Sequence, residues 1–529
     1  MGRSVANEAF LNALLRASPY DGCHFFLADE ATAAFVRERL TSSFPQAVSS
    51  GAFQVVTRYA LPEAVAVNEY EVFHLSDCVA DTVGLLRLRN ALSRNIFAVT
   101  GPTHSLSYAR YPLYFFDQLW SGVTERDAII ATSRAGLGAM EAMFAALRRG
   151  YGLGEEFRPP RLVRIPLGVS EEDFVPPEHK AGVGTLVRER LGIAEGHLLL
   201  LVFARISHYS KMDILPLFRA LLRAERQGLP RGGYTLVLSG WMDTDGEAAK
   251  AYAEIAASLG IAFRLVSSPD NALRRELFAG ADIFLSPVDN PQETFGLTML
   301  EAAMASLPVV ASDFDGYRDL VVHGETGFLA PTLGPGTSGE TDALSGVWFD
   351  NQYHLQLAQE SVVSVPEMAK AIAALARDAG MRARFGEAAR NRALANYTWD
   401  HVVKEHIALW EELAATPVTQ PEARHPLHPS YPDIFGGYYS GLLTREAMTA
   451  MRVQWTDFGE AVYRGRDFPA VYGGIERLVP LEELRRLLFQ ARKPATVATI
   501  LPENADPAAA ERAAFLLLWA LKHDLLEQV

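Results

Sequence analysis

The chain has 529 residues, 49% of them hydrophobic and 21% charged, with a formal net charge of −14. That length exceeds one ordinary domain, and the apolar fraction suits a folded protein with real cores. The charge argues against nucleic acid or an anionic membrane as principal partner, since both need a basic surface. No apolar run reaches the roughly 18 residues of a membrane span. The N-terminus lacks a basic stretch followed by an apolar run, and Cys23 and Cys78 make no disulfide framework or metal cluster. The cytoplasm is therefore the expected compartment.

Ala6 to Leu15 has the periodicity of a helix. His24–Ala28, Glu71–Leu75, Asn95–Thr100 and Asp127–Ser133 are short apolar runs that fit buried strands, and Leu137–Leu147 reads as a helix. Strands alternating with helices imply a parallel sheet covered on both faces. A turn-rich region, Arg161 to Pro177, closes this half. A second series follows, with strands at His197–Ala204, Tyr234–Ser239, Ala262–Val266, Asp282–Ser286 and Pro308–Ser312, and helices such as Asp213–Ala224 and Glu247–Leu259. Leu333–Gly346 reads as a loop excursion, Val365–Arg377 and Met381–Ala395 as helices, and Pro-rich Thr416–Pro432 as a linker. The last hundred residues read as mostly helical, with Pro480–Phe489 and Ala508–Leu526 amphipathic and a faint likeness to a winged-helix module. Their near-balanced charge disfavours DNA. Acceptor recognition, packing between copies into a homo-oligomer, or a helical cap over apolar surface all remain open for them.

Two doubly wound halves place a binding cleft at the carboxyl ends of their strands. Glu293-Thr-Phe-Gly-Leu-Thr-Met-Leu-Glu301 lies in that zone of the second half, running from a polar loop into a helix over Gly296–Ala305. A helix start offers unpaired N–H groups and partial positive charge, suited to a diphosphate, and Gly296 admits close approach to the backbone. Eight residues of helix would part the two carboxylates by roughly 12 Å. That is wider than the roughly 5–9.5 Å of a glycosidase pair, and it suits gripping two ends of one elongated molecule. On spacing alone, an unengaged loop carboxylate and a solvent-facing helical one read equally well. Arg205 and Lys211 follow the strand His197–Ala204, and Thr103-His104 follows Asn95–Thr100. Taken singly, such cations and a lone histidine are commonly surface or structural groups.

The stretch Pro291–Pro331, from Pro-Gln-Glu-Thr-Phe-Gly through His-Gly-Glu-Thr-Gly-Phe-Leu-Ala-Pro, resembles the signature of glycosyltransferase family 4. Ile165–Phe174 resembles that family's inter-domain hinge, and Tyr397–Leu413 its returning helix, so the resemblance covers about 400 residues. It implies a GT-B fold: two Rossmann-like doubly wound parallel-sheet domains facing a cleft, plus a mostly helical C-terminal extension. The expected division is residues 1–172, completed by a crossover helix at about 398–415; 173–397 for the nucleotide sugar; a 416–432 linker; and a 433–529 helical extension. The implied activity is retaining transfer of a sugar from a nucleoside diphosphate donor, with UDP, GDP or ADP undetermined and the acceptor unidentified. A front-face reaction is implied, since no covalent nucleophile stands out. In this family Glu293 would contact the transferred sugar, Glu301 the ribose hydroxyls, and the amides of Gly296, Leu297 and Thr298 the sugar and phosphates. Arg205 and Lys211 would neutralise the leaving diphosphate, and His104 would face the donor sugar or β-phosphate. An epimerase, a phosphorylase or a non-catalytic sugar-nucleotide binder on the same fold are the alternatives.

Two Asp-x-Asp triplets, Asp243–Asp245 and Asp313–Asp315, carry the composition of a metal site, but the second sits in a turn with Gly316 that suits backbone shaping. With two cations and a helix terminus present, no metal or other cofactor is expected. The first helix begins too near Met1 to leave room for the strand and Gly-rich loop with which GT-B domains usually open, so either that strand is absent or the native start lies upstream.

Overall fold

The computed structural model describes residues 2–79, 81–242, 247–348, 350–476, 478–500 and 507–529. They fall into two compact units. One comprises Met1–Cys23, Glu69–Asn90 and Asn95–Ala423; the other comprises His24–Asn68, Ala91–Arg94 and Arg424–Val529.

The first unit holds two parallel sheets. The smaller contains Val72–His74, Ala98–Pro102, Asp127–Ala131 and Arg161–Arg164 in sequential order. Side chains alternate across a strand, and Asp127–Ala131 shows the consequence. Ala128 and Ile130 pack with Phe10, Trp399, Val402 and Leu409 from the helices Gly2–Ala17 and Trp399–Ala415. Ile129 packs on the other face with Phe115, Met140 and Phe144, from Tyr111–Asp117 and Arg134–Tyr151. Residues after Trp399–Ala415 stay tied to this half: Arg126 Nε donates to Thr416 O at 2.8 Å, and Asn90 Nδ2 to Glu422 O at 2.8 Å.

The larger sheet has six parallel strands in the order Phe263–Ser267, Tyr234–Gly240, Leu198–Phe203, Ile283–Ser286, Val309–Ser312, Gly327–Ala330. In chain order that is 3-2-1-4-5-6, the doubly wound arrangement whose winding reverses between its first and fourth strands. Those two central strands are buried along almost their whole length, as near-continuous apolar runs should be in a helix-covered parallel sheet. An excursion then leaves the sheet from Thr332–Leu333 and returns at Val362–Val363, the two pairing antiparallel. It carries the helices Gly339–Leu344 and Asp350–Gln359.

Three local expectations change. Arg161–Arg164, read as turn-rich, is an edge strand paired with Asp127–Ala131; its exposed arginines flank two half-buried apolar residues, so no buried run marks it. Gly327–Ala330 adds a sixth strand beyond the five expected. Cys23–Leu27 pairs with Phe53–Thr57 in a separate two-stranded sheet, and all five of its residues are only half-buried, unlike a central strand of a covered sheet. An apolar run shows that a strand exists, without naming its neighbour.

In the second unit, Arg452–Trp455 sits between Ala495–Thr496 and Leu526–Gln528 in an antiparallel sheet. The helices Leu481–Gln490 and Pro507–Lys522 accompany it, with Val453, Leu484, Leu488 and Leu517 in one core. The extension is thus helical with a small sheet. Among the described residues, no helix is long and apolar enough to cross a membrane.

Candidate active site

The reversal of winding in the large sheet decides where its central loops meet. Leu198–Phe203 pairs directly with Ile283–Ser286, so the segments leaving their carboxyl ends emerge side by side. One carries Arg205 and Lys211, the other Asp289 to Gly296. Asn290 Nδ2 donates to Tyr209 O at 2.9 Å, and the Asp213 N–H donates to Asp289 Oδ2 at 3.2 Å. These bonds fasten the two loops together.

Lys211 Nζ and Glu293 Oε2 form a close ion pair at their junction, with side chains 17% and 11% exposed. Burial alone would pull the lysine pKa down and push the carboxyl up; the mutual attraction outweighs both, leaving Lys211 raised and Glu293 lowered. The pair is therefore held ionised. Tyr317, fully buried, donates toward Glu293 Oε2 at 3.5 Å and shares a 2.8 Å hydrogen bond with Ser286 Oγ. Arg205 is exposed and donates to Ser210 Oγ at 3.2 Å, and its charge acts on Lys211.

Gly296 is the N-cap of the helix Leu297–Met304, with φ +97° and no side-chain cap. The first N–H groups of a helix have no intrahelical acceptor, so Leu297 and Thr298 present theirs beside Glu293. A Cβ at Gly296 would overlap the Tyr317 ring. Glycine is thus required twice, by the left-handed backbone and by the ring packed on it.

Glu301 lies further along this helix and pairs with Arg274 at 2.6 Å, both side chains 14% exposed. Arg274 comes from Asn271–Gly280, and its guanidinium lies 5.6 Å from the Phe174 ring centroid. Burial pushes the Glu301 carboxyl up, and Arg274 only partly offsets that. Each glutamate of the segment therefore has its own cation.

His104 follows Ala98–Pro102 and is half-buried, its Nε2 donating to Ser76 O at 3.0 Å. Its neighbour Ser105 donates to Gln292 O at 2.8 Å, which brings the His104 loop against the Glu293 loop. Two further contacts join the halves: Ser133 Oγ with Asp315 Oδ1 at 3.3 Å, and the Arg134 N–H with Asp319 Oδ2 at 2.8 Å. Burial and the Glu293 charge push the Asp315 carboxyl up to about 7. Asp313 instead accepts from Arg318 Nε at 2.9 Å, so the two carboxylates of this triplet serve different partners. Asp243–Asp245 lies outside the described residues.

Sequence reasoning missed Tyr317, Arg274, Asp289 and His354. No local pattern marks them, because each acquires its meaning from a partner on another element. Asp289 is 5% exposed, with Oδ1 lacking a partner among the described residues. Burial pushes its carboxyl up to about 8. A folded-state pKa above the unfolded value favours folding below about pH 4, and that contribution is lost as pH rises through about 8. Asp289→Asn keeps an acceptor for the Asp213 N–H and cannot ionise. Its melting temperature should exceed the parent's at pH 8, the gap closing toward pH 4; a pH-independent gap in thermal melts would refute this.

Residues 185–333 match the family described as Glycosyl transferases group 1. A D-inositol 3-phosphate glycosyltransferase of Geodermatophilus obscurus is 33% identical over 179 residues, 34% of this chain and 38% of that protein. The protein of the same description from Nocardia farcinica is 30% identical over 239 residues, 44% of this chain and 51% of its own length. The chain thus spans about half or less of these relatives. Among solved structures, Anabaena Alr3699/HepE in complex with UDP superposes with a TM-score of 0.51 at 18% identity, covering 76% of this chain and 96% of that one. The matched region contains both the Lys211–Glu293 junction and the helix bearing Glu301; over it the chain is similar to the glycosyl transferases group 1 family, and the fold is that of GT-B proteins.

Proposed function

We propose that the chain transfers a sugar from a nucleoside diphosphate donor to an acceptor hydroxyl, with retention at the anomeric carbon. The observation that carries this reading is the Lys211–Glu293 pair set beside the uncapped start of Leu297–Met304, at the winding reversal of the large sheet. Lys211 and Glu293 offset each other, so the positive potential at this junction comes from the nearby Arg205 and the helix start, in a protein of net charge −14. Lys211, Arg205 and the N–H groups of Leu297 and Thr298 stabilise negative charge growing on the diphosphate as the glycosidic bond breaks. Glu293, held ionised, accepts hydrogen bonds from sugar hydroxyls. Glu301 keeps acceptor capacity beyond the Arg274 bond, for ribose hydroxyls. His104 stands near the sugar end, and the departing phosphate takes the acceptor proton. The likeness of residues 185–333 to the glycosyl transferases group 1 family and the donor-type chemistry of the cleft support this assignment; the acceptor is left open.

Thermal-shift titration with UDP, GDP, ADP and their sugars identifies the base, because a ligand raises the melting point in step with its occupancy. With the selected donor, Glu293→Ala should cut release of the nucleoside diphosphate about 100-fold or more, while affinity for the free diphosphate changes little. Glu301→Ala should reverse the pattern, weakening that affinity roughly tenfold. Equal effects of both substitutions on affinity would overturn the separation of tasks. Absence of any nucleotide-dependent shift would overturn the function itself.

A further inference from the structure

The excursion between Thr332–Leu333 and Val362–Val363 carries a fully buried histidine, His354, on the helix Asp350–Gln359. Its ring reaches both halves of the first unit. Nε2 lies 2.8 Å from Ser107 Oγ and 3.1 Å from Ser107 O, in the loop that contains His104. A carbonyl oxygen only accepts, so Nε2 carries the ring proton. Nδ1 is then a bare acceptor, and the Gln292 side-chain amide donates to it at 2.7 Å. Burial pulls the imidazole below its ordinary pKa, consistent with this neutral tautomer.

Gln292 is the residue before Glu293, and two other bonds hold it. Its N–H donates to Asn290 Oδ1 at 3.0 Å, its carbonyl accepts from Ser105 Oγ at 2.8 Å, and Asn290 in turn donates to Tyr209 O at 2.9 Å. A second contact sits one residue beyond Tyr108, where the Ala109 N–H donates to Asp350 Oδ1 at 3.4 Å. The Tyr108 ring meets His354 edge-on, with centroids 5.3 Å apart. Three loops are thereby linked: the cation loop of Lys211, the Glu293 loop and the His104 loop.

We propose that His354 is a positioning residue, a clasp that joins the His104 loop to the Glu293 loop by passing hydrogen bonds from Gln292 through its ring to Ser107. The inference rests on the donor-site reading of Glu293 and His104. The clasp holds the two loops in register across the cleft while leaving the Glu301 end of the nucleotide site untouched. Aligned reacting groups gain rate steeply from such fixing, and a misplacement of about 1 Å can cost on the order of 100-fold.

The test uses the full chain and begins with a measurement that needs no substrate. In His354→Phe, which keeps a ring but no hydrogen bonds, amides of residues 104–110 and 290–296 should exchange roughly tenfold faster, the worth of one or two hydrogen bonds. The central strand Leu198–Phe203 should exchange as before. With the donor selected by thermal shift, diphosphate release should fall about 10- to 100-fold. Affinity for free UDP, GDP or ADP, whichever binds, should stay within about twofold. His354→Gln, whose amide can replace the Nε2 donor, should recover part of the loss in release. Should His354→Phe fail to fold, Ser107→Ala removes only a loop hydroxyl and should loosen the same two loops. Unchanged exchange in both loops, or equal losses for Gln and Phe, would overturn the clasp. A parent chain that binds none of the three nucleotides would instead overturn the donor-site reading, and the exchange measurement would still decide the clasp.

Discussion

Replacing Lys211 with alanine should reduce donor turnover by about 100- to 1,000-fold, the cost typical of losing one fixed charge-stabilising donor. It should also lower stability. Glu293 is 11% exposed and is held ionised by the ammonium beside it. Removing one partner of a largely buried pair leaves the other charge uncompensated, at a cost of about 3–5 kcal/mol, reduced here by the residual exposure. In the variant, burial would lift the Glu293 carboxyl above its unfolded value. The stability loss should therefore be largest at neutral pH and shrink in acid, as the carboxyl becomes protonated. Adding Glu293→Gln should restore much of the stability and none of the turnover. Urea unfolding at pH 5 and pH 8, together with diphosphate release, measures both effects. A singly substituted protein with parental turnover would remove Lys211 from the mechanism.

The second large effect belongs to Gly296→Ala. With φ +97°, a non-glycine residue would be strained by about 1–3 kcal/mol. Its Cβ would also collide with the Tyr317 ring, which cannot swing away because it is fully buried. Relief requires the start of Leu297–Met304 to move, and with it the N–H groups proposed to meet the diphosphate. Stability should fall by about 2 kcal/mol or more, and nucleoside diphosphate affinity roughly tenfold or more. Gly296→Ala with Tyr317→Leu should regain the steric part while the backbone strain persists, giving intermediate stability. Parental melting and affinity in Gly296→Ala would contradict the tight packing of this turn.

The two predictions draw on different kinds of information. Gly296 stands out in the chain itself, between a polar loop and an apolar helix, and its neighbours Glu293 and Glu301 define the segment that resembles family 4. The partners of those glutamates do not stand out. Lys211 lies 82 residues from Glu293, and Arg274 lies 27 from Glu301 on a separate helix. Strand boundaries of the large sheet follow from apolar runs because both its faces are covered. Edge strands do not follow as readily: Arg161–Arg164 keeps two arginines exposed, and Cys23–Leu27 is half-buried and takes a neighbour from outside the main sheets. His354 is the extreme case, meeting Ser107 across 247 residues from within an excursion whose sequence reads as loop at its start.

The class of fold and the alternation of strands and helices were legible in the chain itself, which also marks out the segment Glu293–Glu301. These depend on periodicity and local backbone chemistry, which act over a few residues. The tertiary structure alone decided which cation faces which glutamate, which ring forces Gly296 to be glycine, and which histidine joins the loops. Those matters depend on strand order. The winding of the large sheet sets its first and fourth strands side by side, and that adjacency carries Lys211 to Glu293.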